Sequence, residues 1–236
     1  MDCHHVGAPA QHDIVHACVM KINGVAIQCI KQSILAIEPM LSGLYIIDFI
    51  FYTIKNKCLF VDDVTLEDQN FNNKENIILM EVECGLVVIR LIPETSPNSV
   101  KRFKLLTEKG LYNNSAFYKV IENTLIQAGD IEYGNIESIN YVKVGSGKSS
   151  LGNLKSEIDE DFKFTEGSVA MARGDDFDTE DSEFFIILKD IPIYNGEYTP
   201  IGKVILGLNA LKKIKKGNKS NYVLRPDFIK SLKLID

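Results

Sequence analysis

The histidines of this chain are confined to its N-terminal end, and this placement limits the chemistry of the rest. His4, His5, His12 and His16 are the four histidines of a 236-residue sequence. A Ser-His-Asp or Cys-His nucleophile system, or a histidine-rich zinc site, needs an imidazole in the folded body of the protein. We therefore predict a reaction that uses neither a covalent nucleophile nor a histidine base.

The cysteines and the acidic residues favour no metal site and no disulfide framework. The five cysteines are odd in number, lack CxxC spacing, and mostly lie near the N-terminus. The acidic run at 175–181, counted from Asp176, lacks the glycine and the glutamate that an EF-hand calcium loop requires. We expect a solvated acidic loop that favours basic peptides, and a protein that needs no cofactor and no metal.

Composition and charge describe an ordinary globular protein. Hydrophobic residues make up 45% of the chain and charged residues 25%, which are values typical of folded domains. The net charge of -6 argues against a nucleic-acid partner, because neutralising phosphates requires a concentrated basic face.

Residues 1–75 read as an N-terminal extension. No period indicates structure in residues 1–31, whereas residues 33–54 are strongly apolar and nearly long enough to cross a bilayer. Glu38, Pro39 and Asp48 interrupt this apolar segment. Four interpretations stay open: a membrane anchor, an uncleaved signal-like segment, a helix buried within the protein or against a partner, and a tail from an over-extended gene start. The residues that follow, up to position 75, read as a polar linker.

From residue 76 to residue 236 the patterns are those of a compact β protein. Short apolar runs separated by turn residues predict eight strands. They lie at 77–84, 86–92, 116–121, 125–128, 168–172, 183–188, 199–204 and 228–234. Ser96 and Pro97 begin a predicted helix that Gly110 ends, and a second helix is predicted over 208–216. We predict a mainly β fold, a closed eight-stranded antiparallel barrel capped by two helices.

Four stretches in this region resemble the cyclophilin family of peptidyl-prolyl cis-trans isomerases. They keep the order and spacing of the family's motifs over about two thirds of the chain. These stretches are PETSPNSVKRFKLLTEKGLYNN followed by AFYKVIENTLIQAGD (116–130), EGSVAMARGD (166–175), DSEFFIILKD (181–190) and IGKVILGLNALKKI (201–214). The MAR sequence ending at Arg173 is more similar to bacterial members than to animal ones.

The resemblance implies an enzyme that rotates the peptide bond before proline. The cis and trans states of an X-Pro bond differ by about 0.5–1 kcal/mol and are separated by a barrier of about 18–20 kcal/mol. No bond has to break, so the site has only to bind the twisted amide better than either planar form. Such a site needs an apolar pocket for the proline ring and hydrogen-bond donors beside the amide.

The resemblance also assigns the site residues. It implies that Lys119, at the position of the family's arginine, is the catalytic donor and that Gln127 is a donor that orients the substrate backbone. It assigns substrate binding to nine further residues: Thr124, Leu125, Ala172, Arg173, Glu183, Phe185, Ile193, Tyr194 and Tyr198. From the residue type alone, Lys119 reads as a solvated strand residue, and only its position in the motif favours a functional role. Gln127 is equally well interpreted as a satisfied structural group or as a substrate donor.

Three departures from the family's pattern bear on activity. Lysine keeps the charge of arginine but lacks its planar fork of donors, so Lys119 is expected to orient the twisted amide less well. Glu183 replaces a glutamine and brings a carboxylate that could pair with Lys119 and restrain this donor. Thr124 replaces a phenylalanine and removes one wall of the proline pocket, at about 1–3 kcal/mol of apolar contact.

Two functions therefore remain open at the level of the sequence. The first is a peptidyl-prolyl cis-trans isomerase of reduced activity that acts on X-Pro bonds in protein folding. The alternative is an inactive barrel that binds proline-containing peptides or serves as a chaperone module. For either function the expected partners are proline-containing peptides or unfolded segments, with the protein a monomer in the bacterial cytoplasm or tethered to the inner membrane through residues 33–54.

Overall fold

The computed structural model describes residues 17–22, 25–30, 57–58, 61, 71, 73–217 and 221–235. The chain falls into two units, Met1–Lys55 and Asn56–Asp236. In the first unit, strands β1 (Ala17–Ile22) and β2 (Val25–Ile30) form an antiparallel hairpin. The expectation that residues 1–31 lack structure is therefore wrong for these two strands.

The expected membrane tether needs correction. Within the described residues, no helix has the length and the apolar character needed to cross a bilayer. The apolar segment 33–54, on which the tether rested, lies outside the described residues.

The second unit contains ten strands and two α-helices among its described residues. The strands are β3 (Ile77–Val82), β4 (Gly85–Leu91), β5 (Ser115–Ala116), β6 (Lys119–Ile121), β7 (Leu125–Ala128), β8 (Ser168–Met171), β9 (Phe184–Ile187), β10 (Pro200–Leu206), β11 (Phe228–Ile229) and β12 (Ser231–Leu234). The helices are α1 (Pro97–Glu108) and α2 (Leu208–Leu211). A mainly β fold with few helices is confirmed.

The main sheet is open, so the predicted closed barrel is wrong in that detail. Eight strands pair in the order β12-β3-β4-β10-β8-β9-β7-β6, and neighbouring strands are antiparallel throughout. The short strands β11 and β5 form a separate antiparallel pair.

The outer edge of β6 bonds to an irregular segment instead of to β12. The Val120 amide donates to the Asn221 carbonyl at 2.9 Å, and the Val223 amide donates to the Tyr118 carbonyl at 2.9 Å. Gly217 donates to the Val120 carbonyl at 3.1 Å. The edge groups of the strand are thereby satisfied without closure of the barrel.

Helix α1 covers one end of the main core. Its apolar face buries Val100, Phe103 and Leu106, as the sequence predicts, and Pro97 occupies the first turn, where its missing N–H is not needed. The ring of Phe103 packs edge-on against that of Phe184, with centroids 5.1 Å apart. Phe184 thus connects the helix with the centre of the sheet.

Helix α2 is shorter than predicted. It ends at Leu211 because the chain tightens into three-residue turns, in which the Lys213 amide donates to the Ala210 carbonyl at 3.2 Å and the Ile214 amide to the Leu211 carbonyl at 3.1 Å. Gly207 begins the helix at φ 82, where a Cβ would lie 2.1 Å from the Leu86 carbonyl oxygen.

A disulfide joins Cys58 to Cys84, contrary to the expectation from cysteine counting. The two Cα atoms are 4.9 Å apart, and Cys84 lies in the turn between β3 and β4. Lys57 adds an ion pair with Asp227 at 2.5 Å. The disulfide and the ion pair therefore hold residues 57–58 against the β3–β4 turn and Asp227, within the second unit.

Two carboxylates fix the loops that surround helix α1. Asp181 forms a buried ion pair with Arg102 of the helix, with 2.6 Å between nitrogen and oxygen, and accepts the Ser149 amide at 2.6 Å. Glu157 accepts the amides of Asn98 and Ser99 at 3.1 and 2.8 Å, where unpaired N–H groups at a helix start favour an anion. The chain before β9 is thus held against the helix.

Glu180 directly precedes Asp181 in the sequence, and its buried carboxyl group has incomplete hydrogen bonding. Thr199 donates to its Oε1 at 2.7 Å, whereas Oε2 has no partner among the described residues. Burial raises the pKa of the Glu180 carboxyl from 4.5 to about 7. The ionised form is therefore disfavoured in the folded protein.

Replacing Glu180 by glutamine is expected to change how stability depends on pH. The folded pKa lies above the unfolded value, so the folded protein holds an extra proton between about pH 4.5 and about pH 7. The free energy of unfolding of the wild type should therefore fall by roughly 3 kcal/mol as the pH rises through this window. Urea unfolding of wild type and Glu180→Gln across this range measures the difference.

The exposed Glu108 supplies the matched control, because Glu108→Gln removes the same charge from a solvated site. The control should follow the wild-type profile, and Glu180→Gln should lack the decline. Identical profiles for all three proteins would contradict a buried, proton-binding Glu180.

Candidate active site

An open cleft of about 420 Å³ lies across strands β6, β7 and β9 and the residues that follow β8. Apolar side chains from these strands meet a polar edge formed by the loops at 145–148 and 173–183. The lining residues are Tyr118, Lys119, Ile121, Leu125, Gln127, Gly145, Ser146, Gly147, Lys148, Ala172, Arg173, Gly174, Thr179, Asp181, Ser182, Glu183, Phe185, Tyr194, Tyr198 and Tyr222.

The structure brings most of the site residues expected from the sequence to this cleft. Those that line it are Lys119, Leu125, Gln127, Ala172, Arg173, Glu183, Phe185, Tyr194 and Tyr198. Thr124 and Ile193 are not among the lining residues. Thr124 lies in the turn between β6 and β7, where its hydroxyl donates to the Glu122 carbonyl at 3.1 Å, and the Ile193 residue is 79% exposed.

The apolar part of the cleft is centred on the Phe185 ring. This ring packs edge-on against Tyr198 and Tyr194, with centroid distances of 5.0 and 5.9 Å. Leu125 and Ala172 belong to the same buried cluster. Because Phe184 faces the main core, strand alternation leaves Phe185 on the cleft side. Aromatic rings around a small apolar recess suit a compact ring such as that of proline.

Lys119 supplies a cation to the cleft. It is half-buried on β6 and lies opposite Gln127 of β7 in the strand register. Its ammonium group forms no hydrogen bond or ion pair with the described residues. Lys119 therefore does not pair with Glu183, and the ammonium group can donate to a ligand.

Glu183 pairs with neutral donors instead. The Tyr118 hydroxyl and the Gln127 amide nitrogen both donate to its Oε2, the latter at 2.9 Å. Burial raises the pKa of the Glu183 carboxyl, although these two hydrogen bonds oppose the rise. Burial also raises the pKa of the Tyr118 phenol well above its usual value, so the phenol keeps its proton.

Arg173 closes one end of the apolar recess. Its guanidinium carbon lies 5.0 Å from the Tyr198 ring centroid and 4.3 Å from that of Phe177, distances typical of cation–π contacts. The guanidinium also donates to the Glu197 carbonyl at 3.2 Å. Since Arg173 is held by these contacts, it shapes the wall of the cleft.

Asp130 fixes the loop that forms the opposite wall. Its buried carboxylate accepts the amides of Gly145 and Gly147 on one oxygen, at 2.7 and 3.1 Å, and the amides of Glu132 and Tyr133 on the other, at 3.1 and 2.8 Å. Gly147 has no room for a side chain, since a Cβ would lie 2.0 Å from an Asp130 oxygen.

Several lining residues were not found from the sequence. Tyr118 precedes the predicted donor Lys119 and is almost fully buried, so alternation would have placed it away from the cleft. Gly145 and Gly147 carry a glycine signal in the sequence, GSG at 145–147, that could have indicated a tight loop. Tyr222 bridges to Lys119 along the strand edge, a contact that no local pattern predicts.

Asp130→Asn is expected to destabilise the second unit. An amide group keeps the size of the carboxylate but turns an N–H toward one pair of backbone donors, which lose their acceptor. The free energy of unfolding should fall by about 1.5–3 kcal/mol, the range for hydrogen bonds to a charged group. Urea denaturation measures it, with the exposed Asp161→Asn as the control. A change equal to that of the control would contradict a structural role for Asp130.

Comparison with known proteins places this fold and cleft in one family. Residues 77–234 match the family model described as cyclophilin type peptidyl-prolyl cis-trans isomerase/CLD. A probable peptidyl-prolyl cis-trans isomerase of Brucella suis is 37% identical over 158 residues, which cover 66% of this chain and 80% of the relative. A peptidyl-prolyl cis-trans isomerase of Acinetobacter baylyi is 30% identical over 151 residues, covering 62% of this chain and 75% of the relative.

A solved structure agrees with these sequence relatives. A Cryptosporidium parvum cyclophilin type isomerase, crystallised in the presence of the dipeptide Ala-Pro, superposes with a TM-score of 0.59 at 27% identity and covers 68% of this chain and 99% of its own. The family match, over residues 77–234, spans the strands β3 to β12, the two helices and the cleft. The chain therefore belongs to the cyclophilin-type peptidyl-prolyl cis-trans isomerase family.

Proposed function

We propose that the cleft binds X-Pro segments of protein substrates and isomerises them with Lys119 as the donor. The observation that carries this proposal is the Lys119 ammonium group, which pairs with none of the described residues and lies on a strand next to the aromatic recess around Phe185. The Ala-Pro dipeptide of the Cryptosporidium parvum relative supports a proline-containing ligand.

The aromatic recess supplies the ground-state contacts. The proline ring packs against Phe185, Leu125 and Tyr198, and Tyr194 closes the far side. Thr124 and Ile193 take no direct part, because they lie outside the lining. Replacement of a family phenylalanine by Thr124 is thus compensated in part by Tyr194 and Tyr198, whose ring centroids are 4.8 Å apart.

The polar edge supplies the transition-state contacts. Twisting the amide ends its resonance and leaves a more basic nitrogen. The Lys119 ammonium donates a hydrogen bond to the twisted amide at this nitrogen. The cleft is partly desolvated, so a hydrogen bond from a charged donor is stronger there than in water. Gln127 and the strand edge at Ala172 hold the peptide backbone in register. The step requires no bond breakage.

Lys119→Met is expected to lower kcat/KM at least tenfold, since removal of a charged hydrogen-bond donor costs about 1.5–3 kcal/mol. Lys119→Arg should raise kcat/KM several-fold, because a planar fork of donors is less easily misaligned. A protease-coupled assay with an Ala-Pro peptide measures both.

The exposed Lys233→Met, on the far edge strand, is the charge-matched control and should leave the rate unchanged. An equal rate for wild type and Lys119→Met would contradict the assignment. Peptide binding without any turnover in the wild type would favour the binding-module alternative.

A further inference from the structure

Three polar side chains meet at the edge of the cleft in a way that the family resemblance does not supply. Tyr118 directly precedes β6, Gln127 lies on β7, and Glu183 directly precedes β9. Gln127 Nε2 donates to Tyr118 Oη and, at 2.9 Å, to Glu183 Oε2. Tyr118 Oη in turn donates to Glu183 Oε2. The three contacts form a closed triangle.

Counting protons fixes the direction of each hydrogen bond. A carboxylate only accepts, and a phenol has a single proton to donate. The Tyr118 proton is directed to Glu183, so the contact between Tyr118 and Gln127 must use an amide hydrogen of Gln127. The other amide hydrogen reaches Glu183. Both hydrogens of Gln127 are thus consumed, and its oxygen forms no hydrogen bond with the described residues.

We propose that Tyr118 and Glu183 are positioning residues that keep the Gln127 nitrogen turned toward the protein, so that the Gln127 oxygen accepts a backbone N–H of the bound peptide. The inference rests on the proposed function, because it concerns the same cleft. It replaces the donor role expected for Gln127 with an acceptor role. The site then selects peptides that have a free N–H at the contacted position.

The Gln127 side-chain amide has a single favoured orientation because residue 183 is acidic. A glutamine at this position could donate or accept a hydrogen bond. The side-chain amide of Gln127 could then flip by 180°. Glu183 as a carboxylate cannot donate, so the reversed amide would place two acceptors in contact. The backbone of Glu183 is also fixed, since its carbonyl accepts the Ala172 amide at 2.8 Å.

Backbone esters test the proposal directly. A tetrapeptide Ala-Ala-Pro-Phe and two analogues, in which the backbone N–H of the second alanine or of the phenylalanine is replaced by an ester oxygen, are titrated into the full-length protein, and the dissociation constant and the isomerisation rate are both measured. We expect one ester to bind the wild type about tenfold more weakly than the parent, equivalent to one lost hydrogen bond.

Glu183→Gln should reduce this discrimination to within about twofold, because the Gln127 amide is then free to turn. Tyr118→Phe leaves Glu183 to hold one amide hydrogen, and should give an intermediate value. Glu166→Gln removes a carboxylate that pairs with Lys212 away from the cleft, and should match the wild type.

The pH dependence of the discrimination between the parent peptide and its ester separates a positioning role of Glu183 from a purely structural one. Glu183 is faced by Tyr118, Tyr112, Asp130 and Lys148. Protonated Glu183 can donate, so discrimination by the wild type should fall as the pH drops through the pKa of this carboxyl, which burial raises above its usual value. In Glu183→Gln the discrimination should not depend on pH. The side-chain amide resonance of Gln127 should titrate in the wild type and not in the variant.

The possible results are distinct. Discrimination without turnover would leave the positioning role standing and would contradict the isomerase assignment of the cleft. Turnover with equal binding of all three peptides, or with the same discrimination in wild type and Glu183→Gln, would overturn the positioning role. Failure of every peptide to bind would overturn both.

Discussion

Strand β9 places two phenylalanines on opposite faces of the sheet, and both the core and the cleft depend on that alternation. Phe184 packs edge-on against Phe103 of helix α1 and against Tyr112, with ring centroids 5.1 and 5.4 Å away. Phe185 lies on the other face at the centre of the cleft's aromatic recess. A shift of one residue in register would exchange these environments, so the packing that stabilises the fold also fixes the floor of the site.

The polar edge of the cleft follows from which donors reach the Glu183 carboxylate. Tyr118 and Gln127 satisfy Glu183 with neutral hydrogen bonds, and Lys119 keeps its charge without a protein partner among the described residues. An ion pair between Lys119 and Glu183 would have neutralised both groups and withdrawn the donor from a substrate. Separate placement of these charges keeps a cation available in a partly desolvated cleft, where its field is less screened than in water.

The sequence predicted those features that depend on local patterns. The helix 97–108 and the strands of the second unit follow from capping and alternation, whereas the hairpin of β1 and β2 lies in a segment without a regular apolar period. The position of Phe185 came from family resemblance. The partners of Glu183 could not be predicted, because several donors lie within reach on neighbouring strands and only the packed structure decides among them. The same holds for Tyr118, whose buried ring carries its hydroxyl to the edge of the cleft.

A crystal structure of the full-length protein with a bound Ala-Ala-Pro-Phe peptide tests the central claim most directly. The account predicts the proline ring against Phe185, the Lys119 ammonium within about 3 Å of the prolyl amide group, and Glu183 still bonded to Tyr118 and Gln127. An ion pair between Lys119 and Glu183 in the complex, or a proline ring outside the aromatic recess, would contradict it.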